Sequence, residues 1–180
     1  AGRPRTIKRP VLEVTNLRTH FVTEDGTLPA VDGVTFTLPR GRTLALVGES
    51  GCGKSVTSYS ILRLIQPPGR IVGGRILLRS ARSGEIDLAA LDEKSPLLYR
   101  VRGGVVSMIF QEPMTALSPV HTVGAQISEA ILLHQDVTSA EARRIGIDML
   151  HKVGVSAPER RYDQYPHEIS GGMRQRVVIA

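Results

Sequence analysis

Gly48-Glu49-Ser50-Gly51-Cys52-Gly53-Lys54-Ser55 is the stretch on which the fold turns. It matches every fixed position of G-x-x-x-x-G-K-[ST], the pattern of a loop that cradles phosphate. Glycines let the backbone turn tightly and point successive N–H groups inward, while the helix that follows offers its positive end to the same place. Lys54 supplies a mobile cation for the β- and γ-phosphates of a nucleotide, and the Ser55 hydroxyl can ligate Mg²⁺. The flanks agree with this reading. Thr43 to Val47 is a nearly continuous apolar run suited to a strand buried on both faces. From Lys54 to Ile65 the apolar positions Val56, Tyr59, Ile61, Leu62 and Ile65 recur at helical spacing, and Pro67-Pro68-Gly69 ends the segment. Strand, glycine turn and helix predict an α/β fold of the P-loop class, with Gly48 to Val56 as the nucleotide-binding stretch. Cys52 sits where the loop contributes backbone and has no activating base beside it, so a small side chain is all the position demands.

Working outward, Val11 to Leu17 and Ala30 to Leu38 alternate apolar and polar residues around the turn Glu24-Asp25-Gly26, which predicts two early antiparallel strands. Arg75 to Leu78 and Val105 to Ile109 read as further strands, separated by a polar stretch in which Ser80 to Glu85 reads as surface loop. Beyond Pro113 the composition changes. Thr122 to Gln135 and Ser139 to Val153 carry helical periodicity, and Thr138-Ser139-Ala140-Glu141 is a capping-box pattern. The expected organisation is a basic tail over residues 1–10 and one domain over 11–180. That domain divides into a core with an antiparallel β subdomain (11–112), a helical subdomain (113–168) and a last turn with the start of a helix (169–180).

Composition bounds the function. With 41% hydrophobic and 22% charged residues the chain is that of a globular protein, and no apolar run approaches the roughly 20 residues of a membrane-spanning helix. The tail lacks the apolar core of a secretory signal, so export is not expected. A single cysteine excludes an intrachain disulfide and leaves the five histidines no cysteine cluster to join as a zinc site. The net charge of +6 is spread along the chain without interleaved aromatics, which reads as a solvated basic surface and not a nucleic-acid footprint. His20, His121, His134, His151 and His167 stand singly and read as surface or hydrogen-bonded structure.

A P-loop alone leaves kinases, GTPases, helicases and transport ATPases open. Two later segments narrow the field. Phe110-Gln111-Glu112-Pro113-Met114-Thr115-Ala116-Leu117-Ser118-Pro119 places an amide side chain where an apolar strand is expected to end. His167-Glu168-Ile169-Ser170-Gly171-Gly172-Met173-Arg174-Gln175-Arg176 holds a Ser-Gly-Gly turn leading into a helix, with Ser170 as a natural N-cap and the N–H groups of Gly171 and Gly172 forming a second phosphate-seeking helix start. In this order of P-loop, glutamine loop and Ser-Gly-Gly signature, the chain resembles the ATP-binding cassette family. Its wording is similar to the ATPase subunits of bacterial dipeptide and oligopeptide importers, from about Val11 to the last residue. Ile169 stands where the family usually has Leu, and Met173 where many cassettes have Gln, though Met is common in the peptide-importer branch.

The resemblance implies two such subunits sandwiching two ATP molecules with Mg²⁺, each nucleotide held between the P-loop of one and the signature of the other. Ser170, Gly171, Gly172 and Met173 would then face a nucleotide bound to the partner, a second ATPase subunit identical or homologous to this one. By the same resemblance Gln111 would touch Mg²⁺ or the attacking water, making Lys54 and Gln111 the catalytic side chains of this chain and Ser55 and Gln111 its metal ligands. The helical lobe would dock on integral membrane permease subunits at the cytoplasmic face, fed by a substrate-binding protein. Family members stack an aromatic ring on adenine, for which Phe21 is the candidate; a core role for Phe21 is the equal alternative. Glu168 reads as a helix-start or subunit contact.

The family also carries an apolar strand ending in Asp-Glu beyond its signature helix, where the Glu polarises water, and then a switch histidine. No such pair follows Ser170 in these residues, so the 180-residue chain by itself is expected to bind ATP weakly and not to turn it over. The rival from another class is a soluble cassette ATPase acting on DNA or the ribosome; the stretch Thr115-Ala116-Leu117-Ser118-Pro119 followed by two compact helices argues for transport. A small-molecule kinase leaves Ser170-Gly171-Gly172 unexplained.

Overall fold

The period-2 alternation at the start of the chain builds a long hairpin. In the computed structural model, which describes residues 9–81, 83–110 and 116–180, strand β1 (Leu12–Thr23) and strand β2 (Gly26–Leu38) pair antiparallel across the two-residue turn Glu24-Asp25. Both strands run further than their alternation suggests, because pairing continues from His20–Pro29 to Thr23–Gly26. Strand β3 (Gly69–Ser80) pairs on the other side of β1, and β4 (Gly84–Asp87) completes an antiparallel sheet of order β2-β1-β3-β4. The Ser80 to Glu85 stretch is thus a tight hairpin end and not a loop, with the Ser80 hydroxyl accepting from the Ser83 N–H at 3.0 Å.

Three strands break register at one level. Gly33 in β2, Asn16 in β1 and Gly74 in β3 have φ of 73°, 49° and 93°. The register shift between Val14 and Leu17 lets both of these side chains, an odd number of positions apart, face the core fully buried. A Cβ at Gly74 would lie 2.4 Å from the Asn16 carbonyl oxygen, so the bend depends on a missing side chain. Val14, Leu17, Val31, Ile76, Leu78, Ile86, Leu88 and Val101 form the core of this unit, which spans residues 1–106.

Helix α1 (Lys54–Ile61) packs Val56 and Ile61 against that core. It ends four residues before Ile65, the end expected from periodicity, because Arg63 turns to a φ of 55° and Arg102 clamps the helix end. Arg102 Nε donates to the Leu62 carbonyl at 2.9 Å and its Nη2 to that of Arg63 at 2.6 Å, a cation on the last carbonyls of a helix. Arg102 follows a short helix α2 (Pro96–Val101) that periodicity does not reveal.

Two expected strands are absent. Thr43 to Val47 is irregular, with Leu44, Leu46 and Val47 exposed by 43%, 42% and 92%, and Val105 to Ile109 forms no strand, its one β-bridge among the described residues being the isolated parallel Arg102–Val106. An apolar run becomes a strand only by hydrogen-bonding to a neighbour, and every strand pair among the described residues is antiparallel and lies elsewhere.

The second unit, residues 107–180, is helical among its described residues. Helices α3 (Val123–His134), α4 (Ser139–Lys152), α5 (Pro158–Tyr162) and α6 (Gly171–Ile179) bury Val123, Leu150, Val155, Tyr162, Ile169 and Val177 together. The capping box at α4 is present in full: Glu141 N–H donates to the Thr138 hydroxyl, and Thr138 N–H to the Glu141 carboxylate at 2.8 Å. Tyr162 is the centre of this unit. Its hydroxyl bonds the Ser128 hydroxyl, Arg143 lies 4.6 Å over its ring, and a Cβ at Gly124 or Gly146 would meet the ring at 2.0 or 2.8 Å.

Candidate functional site

The glycines of the P-loop stretch take the conformations that their role requires. Gly51 and Gly53 have φ of 81° and 87°, left-handed values that other residues adopt only at a cost. Gly53 is the N-cap of α1, and its backbone presses so closely on β2 that a Cβ would stand 2.3 Å from the Ala30 carbonyl oxygen. Gly48 to Cys52 form the exposed loop before the cap, and Lys54, Ser55 and Val56 fill the first turn of α1. That turn carries no acidic residue to compete for its free N–H groups.

Lys54 folds back over the loop. Its ammonium donates to the carbonyls of Gly48 at 2.8 Å and Glu49 at 2.5 Å, and lies 3.4 Å from Cys52 Sγ. The cation is therefore tied to the loop backbone at residues 48 and 49, with open space at the Cα of Gly51. A triphosphate fits the donors present here, an ammonium beside a helix start whose first turn holds no carboxylate. The Ser55 hydroxyl is exposed on the same turn. Among the described residues no cluster of His, Cys, Asp or Glu could hold a metal ion, so the Ser55 hydroxyl is the one Mg²⁺ ligand foreseen from sequence that falls within them.

Phe21 lies near the end of β1, half-buried, with its ring edge against Gly69, where a Cβ would be 2.7 Å away. Gln111 lies outside the described residues. In the helical unit Ser170 is the N-cap of α6, with φ −65° and ψ 159°, and its hydroxyl accepts from the Met173 N–H at 3.3 Å. Gly171, Gly172 and Met173 form the first turn, again without an acidic residue, and the Cα of Gly172 faces open space. Glu168 caps the short 3₁₀ turn before it, accepting from the Tyr165 N–H at 2.7 Å. The structure thus assembles two glycine-lined helix starts, one in each unit.

Several residues around these helix starts carry no local sequence signal. The Gln126 amide ties Ser118 to Thr122 onto α3: its oxygen accepts from the Ser118 N–H at 2.8 Å, and its nitrogen donates to the carbonyls of Ser118 and His121 at 3.1 and 3.0 Å. His121 Nδ1 meets the Ser118 hydroxyl at 2.8 Å, a structural bond like those expected of the lone histidines. Arg176, on α6, donates to the carbonyls of Val153 and Gly154 just past α4. The Gln126 and His121 bonds span three to eight positions and those of Arg176 more than twenty, and periodicity registers neither.

Comparison with known proteins places these features in a family. The description "ABC transporter" matches residues 31–180. The dipeptide transport ATP-binding protein DppD of Bacillus subtilis is 50% identical over 171 residues, 94% of this chain and 49% of that protein. A putative peptide import ATP-binding protein of Brucella abortus is 47% identical over 174 residues, 96% of this chain and 51% of that one. The chain therefore spans about half the length of the curated relatives it matches. Among solved structures, the dimeric bacterial ABC transporter cassette MJ0796 superposes with a TM-score of 0.77 at 21% identity, over 93% of this chain and 67% of that one, a likeness of fold. A P-loop capped by Gly53, a Ser170-capped helix start and a family match over most of its residues leave one conclusion: this chain belongs to the ABC transporter family.

Proposed function

We propose that the protein is the ATP-binding subunit of an importer of dipeptides or oligopeptides, working as a dimer of cassettes on the cytoplasmic face of the membrane. The observation that carries this reading is the geometry of Gly53, whose left-handed backbone starts α1 with the Lys54 ammonium folded back onto the loop carbonyls of Gly48 and Glu49. In the proposed site Gly48 to Val56 hold the triphosphate of ATP, Lys54 neutralises the β- and γ-phosphates, and Ser55 and Gln111 ligate Mg²⁺, which supplies further charge neutralisation at the phosphates. Phe21 is the proposed adenine contact.

Ser170, Gly171, Gly172 and Met173 of each subunit are proposed to face the γ-phosphate held by the other. The solved neighbour MJ0796 is a dimer, and a second structure of the same cassette is described as a post-hydrolysis state bound to ADP and Pi, which supports this arrangement. The names of the peptide-import relatives support the cargo. Among the described residues no helix is long and apolar enough to cross a membrane, in keeping with docking on separate permease subunits. Closure of the dimer would draw its energy from contacts that exist only with the γ-phosphate present.

Peptide uptake by cells or proteoliposomes carrying the full transporter tests the reading. Lys54→Ala and Ser170→Arg are each expected to abolish uptake, and unchanged uptake with either would overturn it. The 180-residue chain alone is expected to release no phosphate above background, measured on the purified chain.

A further inference from the structure

Beside Val56 and Ile61, which pack on the core, α1 buries two polar residues more deeply. Thr57 and Ser60 are its buried residues, at 4% and 0% exposure, and three hydroxyls of this short helix bond back one turn: Thr57 to the Gly53 carbonyl at 2.9 Å, Ser58 to Lys54 at 3.4 Å and Ser60 to Val56 at 2.7 Å. Such bonds weaken or bend a helix, so eight residues with this composition take their direction from tertiary contacts and not from propensity.

One of those contacts is a buried hydroxyl pair. Thr19, fully buried in the central strand β1, lies with its Oγ1 2.8 Å from Ser60 Oγ. Since the Ser60 proton is used on the Val56 carbonyl, Thr19 is the donor, and both hydroxyls are satisfied. The opposite end of α1 rests on the neighbouring strand: Thr19 pairs with Val31, and the Ala30-Val31 backbone and side chain press on Gly53. The helix is thus mounted at two points on the β1–β2 pair, by close backbone approach at its first residue and by one hydrogen bond near its last.

We propose that Thr19 and Ser60 are positioning residues for nucleotide binding: their hydroxyl pair sets the direction in which α1 presents its first-turn N–H groups to the phosphates. This rests on the reading of Gly48 to Val56 as a triphosphate site. Aim matters because charge-assisted bonds to a fixed anion weaken steeply with misalignment, so a tilt at Ser60 is felt at Lys54.

The test is titration of MgATP into the intact protein by calorimetry, with thermal midpoints measured on the same samples. Thr19→Val and Ser60→Ala are each expected to weaken MgATP binding about tenfold, the scale of one buried hydrogen bond, whereas Thr19→Ser keeps wild-type affinity. The double variant Thr19→Val/Ser60→Ala removes the Thr19 hydroxyl that Ser60→Ala alone leaves buried and unpaired, so its midpoint recovers from that of Ser60→Ala toward wild type while its affinity stays low. Affinity that follows the midpoint back to wild type in the double variant, or single variants that bind as tightly as wild type, would show a purely structural pair and overturn the proposal while the site reading stands. Failure of the wild-type protein to bind MgATP would overturn both.

Discussion

At the scale of single residues, absent side chains decide as much as present ones. Gly53→Ala would place a methyl 2.3 Å from the Ala30 oxygen at a φ of 87°. The left-handed backbone alone costs about 1–2 kcal/mol, and backbone has nowhere to yield. We expect loss of measurable MgATP binding by calorimetry and a lowered thermal midpoint. Asn16 and Gly74 separate two kinds of left-handed residue. Asn16→Gly at φ 49° is expected to shift stability by well under about 1 kcal/mol, because glycine accepts the conformation but frees the unfolded chain. Gly74→Ala, 2.4 Å from the Asn16 oxygen, should lower the midpoint strongly, and chemical denaturation of the pair reads the contrast. The P-loop glycines were legible in sequence because their spacing belongs to one local motif. Gly74 was not, since its constraint comes from a strand nearly sixty positions away.

Among the elements, α3 and α4 both form where periodicity places them, α4 with its expected cap and α3 with one position, Gly124, where packing overrides propensity. The Glu141 carboxylate is held below the usual carboxylate range, chiefly by the Thr138 backbone N–H and then by its hydroxyl. A depressed folded-state value means that this stabilisation is fully present above the unfolded-state value near 4.5 and is lost as pH falls through the lower folded one. Glu141→Gln should therefore lower the midpoint at pH 7, and the gap from wild type should close as pH drops below about 4, followed by circular dichroism. Asp163, lowered by its paired bonds from Arg143 at 2.7 and 2.8 Å, loses its contribution over the same acid range. In α3, helix propensity argues for Gly124→Ala by about 1 kcal/mol. Packing argues the other way, since the methyl would lie 2.0 Å from the Tyr162 ring, which is pinned by Ser128 and covered by Arg143. Overpacking of about 1–3 kcal/mol wins, so urea unfolding should show Gly124→Ala less stable than wild type.

For the whole molecule, charge separates transport from work on nucleic acid. Of the basic side chains behind the net +6, Arg18, Arg63, Arg75, Arg79, Arg143 and Lys152 are each within ion-pair distance of a carboxylate. Charge so interspersed offers phosphate backbones little to grip. Labelled duplex DNA is expected to show no saturable anisotropy change with the protein at about 150 mM salt, near a Debye length of about 8 Å, and tight binding there would favour the rival class of cassette. What the sequence by itself determined is whatever a few neighbouring residues complete between them: the glycine loop with its lysine, the Ser170 cap, the Thr138–Glu141 box and the alternation of β1 and β2. The tertiary structure alone decided the rest. Thr43 to Val47 and Val105 to Ile109 carry strand composition yet form no ladder, because a strand is a relation between two segments and none of the described residues pairs beside them. Arg102, Arg176, Tyr162 and the Thr19–Ser60 pair acquire their roles from partners brought close only by folding, and no periodicity along the chain encodes a distance across it.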